Sequence, residues 1–300
     1  MSSEAALIAA LRRMAPHPAA RGLADDAAVL ELGNECLVLT HDMMVEGVHW
    51  LRSQDPADVA WKLVAVNLSD LAAKGAEPLG VLLGYTLGAG DARFLEGLAE
   101  ALAEFQVPLL GGDTVSAPAG SARAVGLTAL GRATCRPVPS RSGARAGDAV
   151  WLTGPIGGAM LGFEALSDGK TGVDTRAYRR PCPLLAEGRA LAPLASAMMD
   201  VSDGLLLDAT RMAEASGVTI ALDAATVPLA AGVSEARRRD ALAWGDDYQL
   251  LLTTPAGLGL PVAHPGHRAP VRIGTVIAPG AHAVLLDGAP PAGPLGYQHG

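Results

Sequence analysis

The chain has 300 residues, half of them hydrophobic and 18% charged, with a net charge of −8. That composition suits a large buried core and two domains rather than one, and excludes a disordered chain. The acidic balance argues against a nucleic-acid partner but not against anionic small molecules, because a bound metal ion inverts the local sign.

The first twenty residues carry Glu4, Arg12 and Arg13 without an apolar block, so no signal peptide is expected. A short helix is expected over residues 4–15, then a Pro-rich loop. "CLVLTHDMM" (36–44) reads as a buried strand. "DPADVAWKLVAVNLSDLAAKG" (55–75) carries helix punctuation: Asp55 as N-cap, Pro56 in the first turn, Gly75 as C-cap and Pro78 beyond. Strand-like "LGVLLGYTLG" (79–88) and the amphipathic helix "ARFLEGLAEALAEFQ" (92–106) follow. "VPLLGGDT" (107–114) reads as a strand ending in a Gly-Gly-Asp turn, and "RAVGLTALGRA" (123–133) as another strand.

The polar, Gly-rich "SRSGARAGD" (140–148) marks a domain boundary, giving an expected division at 1–145 and 146–300. The second half reads as strand "AVWLTG", turn "PIGG", helix "AMLGFEAL" and a loop to about residue 183. Helix 183–195, strand 197–203, helix 204–217 and strand 218–223 come next. A basic helix at 234–243, the loop "WGDD", strand "YQLLLTT" and short strands near Val271 and Val284 complete it. Strands and helices mix in both halves, so the expected class is α/β (α+β) with two domains. The longest run without acids, Lys or Arg, 248–267, contains Pro255, Pro261 and Pro265 and would not span a bilayer as a helix. Cys36, Cys135 and Cys182 show no metal-ligand spacing. They point to a reducing compartment, and a soluble cytoplasmic protein is expected.

Familiar nucleotide motifs fail. "SDGKTG" would need Gly at position 164 to be a P-loop, and Glu164 stands there. "GPIGG" follows a strand and opens a helix, so its amides suit an anion, but it is not GxGxxG. What remains is a set of aspartates at element ends or in apolar surroundings: Asp25, Asp26, Asp42, Asp70, Asp113, Asp200, Asp203, Asp246 and Asp247. Singly, each reads as a turn former or helix cap. Together, flanked by Met, Leu and Val, they cannot stay ionised in a dry core unless paired or metal-bound. Hard divalent cations are their natural partners, since Mg²⁺ binds carboxylates together with phosphate oxygens.

The segments "GLADDAAV", "HDMMVEGVHW", "KLVAVNLSDLAAKGA", "GGDT", "RSGARAGD", "TGPIGG", "DVSDGL" and "GDDYQL" occur in this order. In order and rough spacing the chain resembles the thiamine-monophosphate kinase family, within the superfamily of aminoimidazole ribonucleotide synthetase. The resemblance covers nearly the whole chain. "VEGVHW", "VNLSDLAAKGA" and "GDDYQL" are its specific parts. It implies ATP-dependent phosphorylation of thiamine monophosphate to thiamine diphosphate in a homodimer, with several Mg²⁺ ions bridging ATP and substrate. By the resemblance, Asp26, Asp42, Asp70, Asp113, Asp200 and Asp203 hold metal, with Thr40 and His41 as further oxygen or side-chain contacts. Gly112, Asp113, Arg141 and Ser202 match nucleotide contacts; His49, Asp246 and Tyr297 match the substrate site. The acceptor phosphate is already anionic near neutral pH, its second pKa being about 6, so no general base is required.

The chain departs from the family at three places. Ala24 replaces a Gly. His41 stands where a hydroxyl is usual, and either ligates a metal or points away, leaving only its backbone. Asp246 is a methylene shorter than the usual Glu, and is either a substrate contact or a turn residue. Tyr297 also reads as tail packing and Arg141 as a solvated linker charge, whereas the eight-residue motif around His49 favours the substrate site over a core or surface histidine. Two alternatives stand beside the kinase. One is a sibling enzyme: selenophosphate synthetase, the hydrogenase maturation dehydratase or the synthetase itself. The other is a catalytically silent metal- or nucleotide-binding protein.

Overall fold

The computed structural model describes residues 4–260 and 269–298. The chain opens with α1 (Glu4–Arg12) and a 3-10 turn at Pro18–Leu23. The first half then contains β1 (Ala28–Leu32), β2 (Glu35–Val45), α2 (Pro56–Ala73), β3 (Ala76–Thr86), α3 (Asp91–Glu104), β4 (Leu109–Val115) and β5 (Ala124–Ala133). The second half contains β6 (Ala149–Leu152), α4 (Gly158–Ser167), α5 (Arg176–Arg179), α6 (Leu185–Leu191), β7 (Ala197–Asp200) and α7 (Leu205–Ser216). It ends with β8 (Thr219–Leu222), α8 (Arg238–Ala243), β9 (Leu250–Thr254), β10 (Val271–Ile277) and β11 (Val284–Leu286).

The strands form two mixed sheets, ordered β1-β2-β5-β3-β4 and β11-β8-β10-β6-β9-β7. The mixed α/β class read from the sequence is therefore borne out. Among the described strands, only β3–β4 and β8–β11 pair in parallel. The first of these pairs is joined by α3, the crossover that a parallel pair needs. Two elements escaped the sequence reading: β1, which adds to the edge of β2, and the single turn α5. The Gly-Gly-Asp segment is also not a turn, because β4 runs through Gly111, Gly112 and Asp113 to Val115. Of the apolar run 248–267, the part to residue 260 is β9 and the turns after it; residues 261–268 lie outside the described residues. No helix among the described residues is long and apolar enough to cross a membrane.

Helix α2 positions the rest. Asp55 caps it, its Oδ1 accepting the Ala57 N–H at 3.0 Å, and Pro56 occupies the first turn. Its end is set by Gly75, whose φ of +60° suits glycine and whose missing Cβ makes room for Ala192. Every residue from Ala57 to Ala73 is buried. One side of α2 lies on β2, β3 and β5, another on α3, and its C-terminal end meets α6 and β7 of the second half. An apolar cluster of Ala72, Ala73, Leu191, Ala192, Met198, Leu250 and Leu252 seals that junction.

Two glycines permit these close approaches. A Cβ at Gly97 of α3 would fall 2.2 Å from the Ala57 carbonyl oxygen, and one at Gly188 of α6 would fall 2.1 Å from the Ala72 carbonyl oxygen. Neither carbonyl can retreat without bending α2. Gly188→Ala is therefore expected to lower unfolding free energy by about 1–3 kcal/mol in denaturant titration, by forcing the halves apart at the α2 end. An unchanged midpoint would show that this junction does not stabilise the fold.

Candidate active site and metal centre

Five polar residues interrupt the apolar sequence of α2, and the three in its C-terminal half, Asn67, Ser69 and Asp70, reach the site. Asn67 Oδ1 accepts the Asp42 N–H at 2.9 Å, while its amide donates back to the Leu63 carbonyl. Ser69 donates to Asp200 Oδ2 at 2.6 Å. Asp70 accepts a short hydrogen bond from the Thr40 hydroxyl. The helix thus gathers β2 of the first sheet and β7 of the second around one point. Asp26, Asp70 and Asp200 converge there, each offering a carboxylate oxygen within 4.8 Å of the others.

Charge compensation comes from one flank. Lys74 Nζ lies 2.6 Å from Asp25 Oδ1 and 2.5 Å from Asp26 Oδ2; the second contact is an ion pair that leaves this buried oxygen without a well-directed hydrogen bond. Arg141 Nε donates to Asp26 Oδ1 at 2.7 Å. Asp25 is the structural member of the acid pair. Burial alone would raise its pKa, but Lys74 and Arg21 outweigh burial and bring it down to about 2. Away from these cations, burial and then the neighbouring Asp42, Asp200 and Asp26 raise Asp70 well above the carboxylate range. Burial, with Asp26 adding, pushes Asp200 up to about 8. Burial pushes Asp42 up to about 6, opposed by His41 and helped by Asp26 and Asp203.

The other expected site residues divide into three groups. Asp203 lies near enough to raise Asp42, but its own carboxylate pairs with Arg211 at 2.5 Å. Ser202 joins through its backbone: its N–H donates to Asp208 and its carbonyl accepts the Asp246 N–H at 2.8 Å. His49 and Asp246 meet at Lys62, whose ammonium lies 2.8 Å from Asp246 Oδ2 and 3.2 Å from the His49 carbonyl oxygen. Tyr297 is half exposed, and its N–H donates to the Asp203 carbonyl, tying the tail to this rim.

His41 corrects the expectation of a side-chain metal ligand. Alternation along β2 sends Thr40 and Asp42 toward α2 and His41 to the opposite face, where its Nδ1 bonds Thr128 Oγ1 at 2.9 Å. Asp113 and Gly112 are also not brought to the acids within this chain. They lie on edge strand β4, three strands from β2, and Asp113 is exposed, accepting the Thr114 N–H. Gly112 is nevertheless required, since a Cβ there would lie 2.0 Å from the Leu83 carbonyl oxygen.

The sequence reading missed Lys62, Lys74 and Asp208. Lys62 inside α2 and Lys74 at its C-cap, each within a mostly apolar stretch, were the available signal, since a fully buried lysine demands an anion. Asp208, in the first turn of α7, receives the Ser202 and Asp203 N–H groups and shapes the turn after β7. The "GPIGG" amides do hold an anion, but an internal one: Gly157 N–H lies 3.0 and 2.9 Å from the two oxygens of Asp247.

Residues 24–133 match the family described as AIR synthase related protein, N-terminal domain, and residues 145–279 match its C-terminal domain. Thiamine-monophosphate kinases of Caulobacter vibrioides and Escherichia coli K12 are 40% and 35% identical to this chain, each over 78% of it and 71% and 76% of their own lengths. The chain belongs to the thiamine-monophosphate kinase family. Among solved structures, AaThiL complexed with AMPPCP and TMP superposes with a TM-score of 0.86 at 28% identity, over 99% of this chain and 97% of its own. The thiamine-monophosphate kinase of Stenotrophomonas maltophilia gives 0.74 at 32% identity, over 94% and 95%. Within the family fold, the acids lie where the two sheets meet along α2.

The buried acids make stability depend on pH. Asp70, Asp200 and Asp208, the last pushed by burial and Asp203 to about 7, titrate above the ordinary carboxylate value of 3.8. Between those values the folded chain holds protons that the unfolded chain releases, so stability falls as pH rises. In excess chelator the melting temperature is expected to decline from about pH 5 to about pH 8, and saturating Mg²⁺ to raise it most at the upper end. A metal-free melting temperature that climbs over this range would contradict the protonated cluster.

Proposed function

We propose that this protein transfers the γ-phosphoryl group of ATP to the phosphate of thiamine monophosphate, giving thiamine diphosphate and ADP. The observation that carries this reading is the convergence of Asp26, Asp70 and Asp200 next to the Lys62 cluster, where the kinase-specific segments "VEGVHW" and "GDDYQL" meet. The relatives carry the same name, and a neighbouring structure is complexed with AMPPCP and TMP.

The donor set fits a hard divalent cation. It consists of carboxylate oxygens, Asp26 Oδ2 lacks a directed hydrogen bond, and Asp70 is surrounded by other acids rather than by cations. In this reading Asp26, Asp42, Asp70 and Asp200 hold Mg²⁺, with Thr40 and Asp203 beside them. Bound there, Mg²⁺ supplies neutralisation of the two polyanionic substrates. Arg141, on the same flank, is oriented by Asp26 to meet the nucleotide with Ser202; His49, Asp246 and Tyr297 face the thiamine portion. An acceptor phosphate oxygen attacks the γ-phosphorus, the bond to the bridging oxygen breaks, and ADP leaves with that electron pair. No side chain need remove a proton.

Gly112 and Asp113 enter this reading through a homodimer. The face of the first sheet away from α2 bares Met43 and Leu82, 56% and 40% exposed, and continues to Leu109, Leu110 and Val115 on β4. A second copy covering that face would bury the strand that carries both residues. The three free cysteines are in keeping with a cytoplasmic setting. Against a silent binding protein stands the retention of every acid in the converged set.

Chromatography of ATP, thiamine monophosphate and Mg²⁺ incubated with the protein is expected to show thiamine diphosphate, and none in excess chelator. Asp70→Asn is expected to cut turnover at least ~100-fold, while its metal-free melting temperature equals or exceeds that of the wild type, because like-charge repulsion is relieved. Near-normal turnover in a destabilised Asp70→Asn protein would return Asp70 to the core.

A further inference from the structure

Lys62 is 1% exposed on a helix that has no outward face. Its ammonium has three neighbours from three separate segments. Asp246 Oδ2 is 2.8 Å away, the His49 carbonyl oxygen 3.2 Å, and the centroid of the Tyr178 ring 4.1 Å. These segments are the loop after β2, the single turn α5 and the loop before β9. The first belongs to the first half of the chain and the others to the second.

Asp246 needs such an anchor. Its backbone lies at φ +65° and that of Tyr248 at φ +49°, left-handed conformations that non-glycine residues adopt only when their surroundings over-determine them. Three contacts do so. The Asp246 N–H donates to Ser202, its Oδ1 accepts the Tyr248 hydroxyl at 2.9 Å, and its Oδ2 faces Lys62. The next residue, Asp247, is fastened to the N-terminus of α4 through Gly157. The loop is thus held on one side by its own half and on the other by two anchors: the Tyr248 ring, packed in the core of the first half, and Lys62, the charged partner of Asp246 there. The Asp246 side chain remains 29% exposed, so its outer edge is presented rather than hidden.

We propose that Lys62 is a positioning residue for the acceptor substrate: by holding the Asp246 carboxylate and the His49 carbonyl together across the two halves, it sets the surface that the thiamine portion meets. This rests on the kinase reading above. The short Asp246 is drawn inward onto the lysine, so its value as a contact depends on that lysine being present.

The test compares wild type with Lys62→Met, Lys62→Gln and Lys62→Arg by steady-state kinetics. In the Met variant, KM for thiamine monophosphate is expected to rise about tenfold or more, while KM for ATP and the Mg²⁺ dependence stay close to wild type. The Gln variant, which keeps a donor, is expected to show the same direction and is read alone if Lys62→Met fails to fold. Lys62→Arg, which keeps charge and reach, is expected to recover most of the loss. In an Asp246→Asn background, Lys62→Gln should cost much less than in the wild type, because the two residues act as a unit. A fall in melting temperature with KM for the acceptor unchanged would overturn the positioning role and leave the kinase reading standing. Absence of wild-type turnover would overturn the kinase reading and the positioning role with it.

Discussion

Asp26, Asp70 and Asp200 cannot all be ionised within 4.8 Å of one another in a buried site without a cation among them. Much of the architecture answers that repulsion. Lys74 and Arg141 stand on one flank only, so the cluster is steadied but not neutralised. Complete internal pairing would give a more stable metal-free protein and a site with no need for an external cation. The other residues of the cluster act as guides: Asn67 fixes the backbone of Asp42, Ser69 aligns Asp200, and Thr40 aligns Asp70.

How much of this was legible depends on which rule of chain geometry applied locally. The bounds of α2 could be read closely, because Asp55, Pro56 and Gly75 act through local backbone chemistry. The acids were legible as anomalies, since carboxylates among Leu and Val demand partners wherever the chain folds. The Lys62–Tyr178 contact and the hydrogen bond from the Trp61 indole to the Pro181 carbonyl could not be read, because each joins segments over a hundred residues apart. His41 is a different case. Strand alternation places it opposite Thr40 and Asp42, so grouping all three as ligands conflicted with the period of the strand that carries them. The Gly-Gly-Asp segment misled for the converse reason: glycines that signal a turn elsewhere here let β4 approach the Leu83 backbone within an uninterrupted strand.

The glycine turn before α4 shows how an internal anion can take the place of an external one. Its amides and the helix end favour negative charge, and Asp247 supplies it. Burial raises that carboxyl to about 7 even though the Gly157 and Ala159 amides oppose the shift. The turn therefore fastens the loop instead of an external anion, and the neighbouring Asp246 inherits the rigidity of that attachment.

Helix α2 has no face toward water from Ala57 to Ala73. An ordinary amphipathic helix offers drift an outer stripe on which substitutions are nearly neutral, and this one offers none. Its apolar positions are bounded by two sheets and three helices, Asp58 by Arg179 and Arg180, Asp70 by Thr40 and the acids of other segments, and Lys62 and the capping Lys74 likewise by distant acids. Change in this stretch must therefore come as compensated pairs, one residue here and one in a distant segment. The slowest-evolving part of the molecule should be this one continuous helix, and its record of change should be written in partners far away along the chain.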